Sequence, residues 1–475
     1  MKTVPFWVAI SPVIFLIGIL AFNLSIFGDE GLNGSNQIVL LLTASLASAI
    51  GLLYGVRWKV IQEGILQNIM AAMPAIIILL LIGSLSGAWM LGGIVPAMIY
   101  YGLQILHPFI FLPACAIISA VVSLSTGSSW STVATVGVAL IGIGKALQMP
   151  DPLTAGAIIS GAYFGDKLSP LSDTTNLAPA VAGTELFKHV QYMMLTTIPT
   201  FAITLLIFTA IGLYCSFATS YTFSHADSLT YVLENTFTIH WSLLIVPLGT
   251  FYLVARRIPA IPAMFIGILG GVICTFTFQS ELIMKLSHQT FSLRIFYEYV
   301  LKALYGKIQI PVHHPILSEL LVSRGMAGML NTVWLIISAM IFGGAMEASG
   351  LLPAIVSRLS RLANSDGSLV LTTSLTAILM NLTTADQYLS VAITGRMFKN
   401  VYLLRNLAPE NLSRTVEDSG TVTSVLIPWN TCGATQSTVL GVSTWSYAPY
   451  CFFCYLSPFM TVLFAYLQIK IKRLE

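Results

Sequence analysis

Long apolar runs recur along the chain, and four of them are broken by short clusters of Ser, Thr, Gly, Asp and Asn. A helix needs about 20 residues to cross a bilayer at ~1.5 Å rise per residue. On that scale the first half predicts helices at 5–27, 37–56 and 71–93, a two-armed segment at 108–144, a segment interrupted near 166–176, and a helix at 190–215. The second half predicts helices at 237–255, 259–279 and 331–350, a two-armed segment at 368–398, an interrupted segment at 415–443, and a helix at 444–469. The expected fold is an all-α polytopic membrane protein. The arms flanking the first polar cluster read as about 15–17 residues, short for complete crossings, which favours a re-entrant hairpin.

The two halves resemble each other. Gly87-Ala88 through Gly93-Ile94-Val95-Pro96-Ala97 matches Gly344-Ala345 through Gly350-Leu351-Leu352-Pro353-Ala354, and SLSTGSSWSTVATVG (123–137) matches NLTTADQYLSVAITG (381–395). A weaker block pairs DKLSPLS (166–172) with DSGTVTS (418–424), at an offset of 252 where the first two lie at 257 and 258. Three blocks in one order point to duplication. A two-armed segment leaves on the side where it entered, so each half crosses an odd number of times. Tandem copies with odd crossings insert in opposite orientation, the inverted-repeat plan of many secondary transporters. The expected organisation is a first repeat at 1–215, an external connector at 216–236 and a second repeat at 237–475, which includes a long extramembrane connector at 280–330. Each repeat has about five transmembrane helices plus a re-entrant hairpin and a broken helix.

Composition secures the membrane reading: 56% of the 475 residues are hydrophobic and only 9% charged, against about 25% charged in a soluble domain. The first run follows Lys2 but is too long for a signal-peptide core and has no clear A-x-A site after it, so it reads as a retained span. A net charge of +3 over this length implies no nucleic-acid partner.

Charge placement tests the topology independently. With the N-terminus in the cytoplasm, Arg57, Lys59, Lys188, Arg256, Arg257, Arg358, Arg361, Arg396, Lys399, Arg405, Arg414, Lys470, Lys472 and Arg473 all fall inside. The 28–36 and 216–236 loops fall outside and carry Asp29, Glu30, Asp227 and Glu234 but no Lys or Arg. That is the positive-inside pattern, with the C-terminus also cytoplasmic. Segment 280–330 is the exception and holds Lys285, Arg294, Lys302, Lys307 and Arg324; long loops obey the rule poorly, and it reads as a surface-lying amphipathic connector.

Irregular backbone at membrane depth is tolerated only where it is buried in protein or lines a cavity. The first break, 123–132, offers Ser125, Thr126, Ser128, Ser129 and Thr132; its counterpart offers Thr383, Thr384 and Asp386. The interrupted crossings offer Asp166, Ser169, Asp173, Thr174 and Asn176 around Pro170, and Asp418, Thr421, Ser424, Asn430 and Thr431 around Pro428. Pro removes a backbone donor and disrupts the helix. The carbonyls and hydroxyls so exposed, together with carboxylates, are hard oxygen ligands that suit dehydrated Na⁺, with Asp173 and Asp386 the expected Na⁺ ligands. An ionised group near the bilayer centre costs at least ~2.5–3.5 kcal/mol, so such residues are functional or paired. Asp166 has a paired alternative, the adjacent Lys167, and Glu347 reads as a charge reaching the interface.

Burial disfavours the ionised carboxylate and a bound cation favours it. A site in that balance releases protons when Na⁺ arrives and takes them up when it leaves. Half-helix N-termini created by the breaks also point partial positive charge inward, so a small carboxylate is an alternative cargo. Na⁺/H⁺ antiport by alternating access and Na⁺/H⁺-coupled organic anion exchange of the malate/lactate type both remain open. No Walker motif, metal cluster or nucleophile–base signature supports an enzyme, and no cofactor beyond the transported ions is expected. The histidines at 107, 189, 225, 240, 288, 313 and 314 read as interfacial or solvated, with pH sensing as the alternative. The six cysteines, Cys451 and Cys454 included, read as core thiols.

The runs GSSWSTVATVGVALIGIG (127–144), GAYFGDKLSPLSDTTNLAPAVAGT (161–184), GGAMEASGLLPAIV (343–356) and VEDSGTVTSVLIPWNTCGAT (416–435) resemble the NhaC-type sodium/proton antiporters of the ion-transporter superfamily. The resemblance runs from about residue 70 onward. It implies a bacterial inner-membrane carrier with scaffold and transport domains, paired hairpins, a homodimer in membrane lipid, and elevator-like alternating access. Its relatives also include exchangers that couple Na⁺ and H⁺ to malate and lactate.

Overall fold

The computed structural model describes residues 4–27, 34–105, 107–218, 224–256, 258–312, 317–318, 321–360 and 364–474. Asp29, Glu30, Arg257, His313, His314 and Arg361 lie outside the described residues, as do the side chains of His225 and Asp227.

The first half runs α1 (Phe6–Phe27), α2 (Ser35–Leu53), α3 (Trp58–Leu91), α4 (Ile94–Ile105), the hairpin arms α5 (Pro108–Thr126) and α6 (Ser129–Ala146), the broken pair α7 (Asp151–Leu168) and α8 (Asp173–Ala182), and α9 (Leu186–Ala218). After α10 (Ser224–Thr236) the second half runs α11 (Ile245–Ala255), α12 (Ala260–Phe278), α13 (Ser280–Ser287), α14 (Leu293–Tyr305), a short antiparallel pair β1 (Ile308–Gln309) and β2 (Val322–Ser323), α15 (Leu330–Ala348), α16 (Leu351–Ser360), the hairpin arms α17 (Asp366–Thr384) and α18 (Gln387–Leu404), the broken pair α19 (Pro409–Val416) and α20 (Thr431–Leu440), and α21 (Phe452–Tyr466). Among the described residues nine helices are long and apolar enough to cross a membrane, or eleven if each of two bent pairs is one span.

The two halves share backbone geometry at matching positions. Gly93 (φ 75°) and Gly350 (φ 74°) follow the ends of α3 and α15. The hairpins turn at Gly127 (φ 68°) and Ala385 (φ 56°), and their second arms are capped by Ser128 and Asp386. Ser172 and Asn430 cap α8 and α20, which end at Gly183 and Gly441. From the hairpins onward the spacing is 258 throughout, which corrects the offset of 252 read from the weakest sequence block. That block matched Ser, Thr and Gly in loops, where identity is a poor guide to register. The caps fix register because each must satisfy the orphan N–H groups of its own helix.

Two other expectations change. The helix expected from 71 begins at Trp58. Lys59, Gln62, Glu63, Gln67 and Asn68 depress the local hydropathy, but all but Asn are good helix formers, and Gly64 packs so tightly that a Cβ there would lie 2.6 Å from the Ala348 methyl. The hairpin arms run 18 or 19 residues rather than 15–17. Within 280–330, α14 packs against α3: Ser84 donates to the Leu304 carbonyl at 3.1 Å, and a Cβ on Gly87 would collide with the Ala303 carbonyl.

Two apolar cores form. One joins the end of α3, the first hairpin and α7 to residues of 201–321 and 422–454; the other joins α1, α2 and α8 to α15 and the second hairpin. Each core therefore draws on both halves. Small residues allow the closest approach, as in membrane helix packing generally: a Cβ on Gly161 of α7 would lie 2.0 Å from the Ala116 carbonyl of α5.

Candidate functional site

Both hairpin tips meet one cavity of about 760 Å³. Its wall takes Thr126, Ser128 and Ser129 from the first tip, Asp166, Asp173, Thr174 and Asn176 from the first broken crossing, and Asp386 from the second tip. Pro74 of α3 and Ile261 of α12 contribute to the apolar side.

Each tip is sewn to the broken crossing of its own half. Asp166, buried at 5% exposure, accepts hydrogen bonds from Ser129 N–H (3.1 Å) and Oγ (2.6 Å), so its charge sits at the start of α6. Ser169 Oγ donates to the Leu124 carbonyl (2.8 Å). In the second half Asp386 accepts from Tyr388 N–H (2.8 Å) and Leu389 N–H (3.1 Å), and from Thr431 Oγ (3.3 Å). Asn381 donates to the Gly420 carbonyl (2.6 Å), and Asn430 donates to the Asn381 carbonyl (3.1 Å). Asp166 and Asp386 thus lie at helix N-termini, where backbone donors favour negative charge.

Apart from those on the wall, the residues expected at the site lie off it. Ser125 is exposed and donates to the Val121 carbonyl. Thr132, Thr383 and Thr384 donate to backbone carbonyls one turn earlier in the chain. Ser424 donates to the Thr421 carbonyl (2.6 Å), and Asn430 spends its side-chain oxygen capping α20. Neither Ser169, Thr421 nor Thr431 reaches the cavity wall. Asp173 is on the wall but exposed, at the first position of α8. Sequence reasoning passed over Gly127, Trp130, Ser131, Ser172, Gln387 and Tyr388, which complete the polar wall; most adjoin residues it did single out. Glu347 is exposed and accepts from Asn68 (3.3 Å).

The electrostatics separate two regions. Among the described residues the cavity wall carries three carboxylates, Asp166, Asp173 and Asp386, and no Lys, Arg or His. Behind it, Asp418 pairs with Lys167 rather than facing the cavity, and both side chains are fully buried. Lys167, beside Asp166 in sequence, is therefore not its partner. Lys167 also donates to Ser457 Oγ (3.0 Å), and Asp418 accepts from Thr196 Oγ (3.0 Å) and Thr461 Oγ. Among the described residues no three His, Cys, Asp or Glu side chains gather closely enough to hold a metal by themselves. A cation in the cavity would take hydroxyl and carbonyl oxygens alongside carboxylate, the donor mix suited to Na⁺.

A nearly all-helical, many-spanning chain with paired hairpins and broken helices around one acidic cavity has the build of a secondary transporter. The profile of the Na⁺/H⁺ antiporter family matches residues 161–469, and the chain belongs to that family. It is 36% identical to the Na(+)/H(+) antiporter NhaC of Alkalihalophilus pseudofirmus, over 92% of this chain and 91% of that one. It is 35% identical to the malate-2H(+)/Na(+)-lactate antiporter of Bacillus subtilis, over 96% and 94% of the two chains. A second NhaC antiporter, from B. subtilis, is 35% identical over 98% of this chain and 99% of that one. The resemblance drawn from the motifs at 127–184 and 343–435 agrees with these matches.

Proposed function

We propose that the chain exchanges Na⁺ for H⁺ across the bacterial cytoplasmic membrane by alternating access, with both termini cytoplasmic. Its two repeats, 1–215 and 237–475, insert in opposite orientation, 216–236 joins them outside, and 280–330 lies at the outer surface; the working unit is a homodimer. The observation that carries the reading is the cavity wall, with three carboxylates and no basic side chain among the described residues. That surface attracts a cation and repels an anion, which favours Na⁺ over an organic acid as the cargo. Asp166, Asp173 and Asp386, with the Ser128, Ser129 and Thr174 hydroxyls, form the shared site, where Na⁺ displaces protons and protons displace Na⁺.

In everted vesicles holding an acid interior, added Na⁺ dissipates the proton gradient with no organic solute present. No response at neutral or alkaline pH defeats simple antiport. The second reading, coupled exchange of an organic anion, is supported by the malate/lactate relative and by the half-helix N-termini at the cavity. It requires labelled malate or lactate to counterflow in liposomes.

A further inference from the structure

Na⁺ fills only part of the cavity. At ~30 Å³ per water, an ion with a handful of waters takes on the order of 200 Å³, against about 760 Å³ in all. Cavities of about 300–1,000 Å³ are those that take small organic molecules. The two sides also differ. Opposite the acidic hairpin tips, Ala71, Pro74, Ile78, Val254, Ile258 and Ile261 form an apolar face. Such a face gives Na⁺ no ligand, but it suits the alkyl part of a larger ion.

The polar side adds two aromatic rings. Trp130 and Tyr388 both line the cavity, each two residues beyond the cap of its hairpin's second arm. Tyr388 is 39% exposed, and the fields of Asp173, Asp166 and Asp386 reach it. Ring faces attract organic cations, and cages of rings recognise quaternary ammonium groups. Ser131 lies on the same wall at 6% exposure, and its hydroxyl has no hydrogen-bond partner among the described residues. A buried hydroxyl left so is costly until something meets it. Asp173 is exposed on the wall and forms no ion pair among the described residues. The charge of the cargo is also constrained. The N-termini of α6 and α18 already hold Asp166 and Asp386, and the wall has no Lys, Arg or His among the described residues. The carboxylate of a zwitterion finds no counter-charge here, whereas a monocation does.

We propose that the cavity also takes small alkylammonium ions as cargo. The charge sits among Asp166, Asp173 and Asp386 with the Trp130 and Tyr388 rings beside it, and the alkyl groups lie on the apolar face. This rests on the exchange proposed above. The organic ion displaces protons from the same carboxylates as Na⁺ does, so the two cations compete.

The test uses proteoliposomes with an acid interior and labelled tetramethylammonium outside, a permanent cation that cannot cross the bilayer as a free base. Uptake above that of protein-free liposomes is expected, falling when the proton gradient is collapsed and when external Na⁺ is added. Unlabelled tetramethylammonium should raise the KM for Na⁺-driven proton exit. Tyr388→Leu should raise the concentration needed for that effect at least about threefold, while Tyr388→Phe, which keeps the ring, stays close to wild type. No uptake above background overturns the proposal. So does inhibition without uptake, since the ion is then a blocker and not a cargo, and so does an effect that Tyr388→Leu leaves unchanged. Should Tyr388→Leu fail to insert, competition in the wild type serves: uptake that saturating Na⁺ does not reduce overturns the shared cavity. Absence of Na⁺-driven proton exit with uptake intact instead defeats the antiport reading.

Discussion

Lys167 and Asp418 form a fully buried ion pair that joins the broken crossing of one half to that of the other. Lys167 lies in the last turn of α7, and Asp418 sits in the π-helical turn after α19. The pair is supplied with further partners, Ser457 on the cation and Thr196 and Thr461 on the anion. Removing one member leaves the other charged, buried and short of a partner. Such losses cost about 3–5 kcal/mol, whereas replacing both members with apolar groups is often close to neutral.

The expected outcome is a strong fall in thermal stability for Lys167→Met or Asp418→Leu alone, by roughly 3–5 kcal/mol. The double variant should be more stable than either single one. Unfolding followed in detergent checks this. A double variant that loses the sum of the two single losses would mean the residues act independently.

Asp386→Asn should abolish coupled exchange while leaving insertion and folding intact. Asn is as good an N-cap as Asp, so the amide oxygen can still accept from Tyr388 and Leu389, and α18 keeps its start. What disappears is the charge that balances Na⁺ and the capacity to bind a proton. Asp173→Asn should behave likewise, because its side chain is exposed at the cavity wall and supports no packing. Normal exchange kinetics in both variants would refute the assignment of these carboxylates, and size-exclusion profiles report whether folding survived.

A shared site also sets the sign of the pH response. Lowering pH protonates the cavity carboxylates, and the protonated form cannot hold Na⁺. The KM for Na⁺ should therefore rise as pH falls on the Na⁺-binding side, while the maximal rate at saturating Na⁺ holds. Each unit of pH raises KM up to about tenfold once the site is mostly protonated. Initial rates over a grid of Na⁺ and pH check this. A maximal rate that falls with KM unchanged would exclude simple competition.

Much of this architecture was legible in the sequence. The polar breaks lie inside apolar runs, where the bilayer forbids them without a reason, so the hairpin tips at 126–129 and 386 were visible as patterns. The partner of Lys167 was not, because hydropathy is local and Asp418 is distant in sequence. Nor did anything local distinguish Asp418, which faces Lys167, from Asp166, which faces the cavity. The short helices α4 and α16 were missed because 12 and 10 residues are too few to read as spans. The register of the third repeat block became plain only from its caps.

The two hairpin tips answer differently to exchange of glycine and alanine. Both turn through left-handed backbone, at Gly127 (φ 68°) and Ala385 (φ 56°). An alanine there is strained by roughly 1–2 kcal/mol, and Ala385 is held by the hydrogen bond its carbonyl accepts from Thr431 N–H at 2.8 Å. Ala385→Gly relieves the strain but frees the unfolded chain, which offsets about 0.4–1 kcal/mol. The net change should be small, within about 1 kcal/mol and stabilising if anything. Gly127→Ala meets both penalties, since it adds left-handed strain and its Cβ would lie 2.6 Å from the Leu171 backbone carbon. Overpacking costs a further ~1–3 kcal/mol. The first tip should therefore lose stability, and with it the alignment of Ser128 and Ser129 against Asp166, while the second tolerates its change. Melting temperatures and Na⁺-driven exchange measured on both variants check the ordering. Equal tolerance at the two tips would show that the first tip yields to make room for a methyl group.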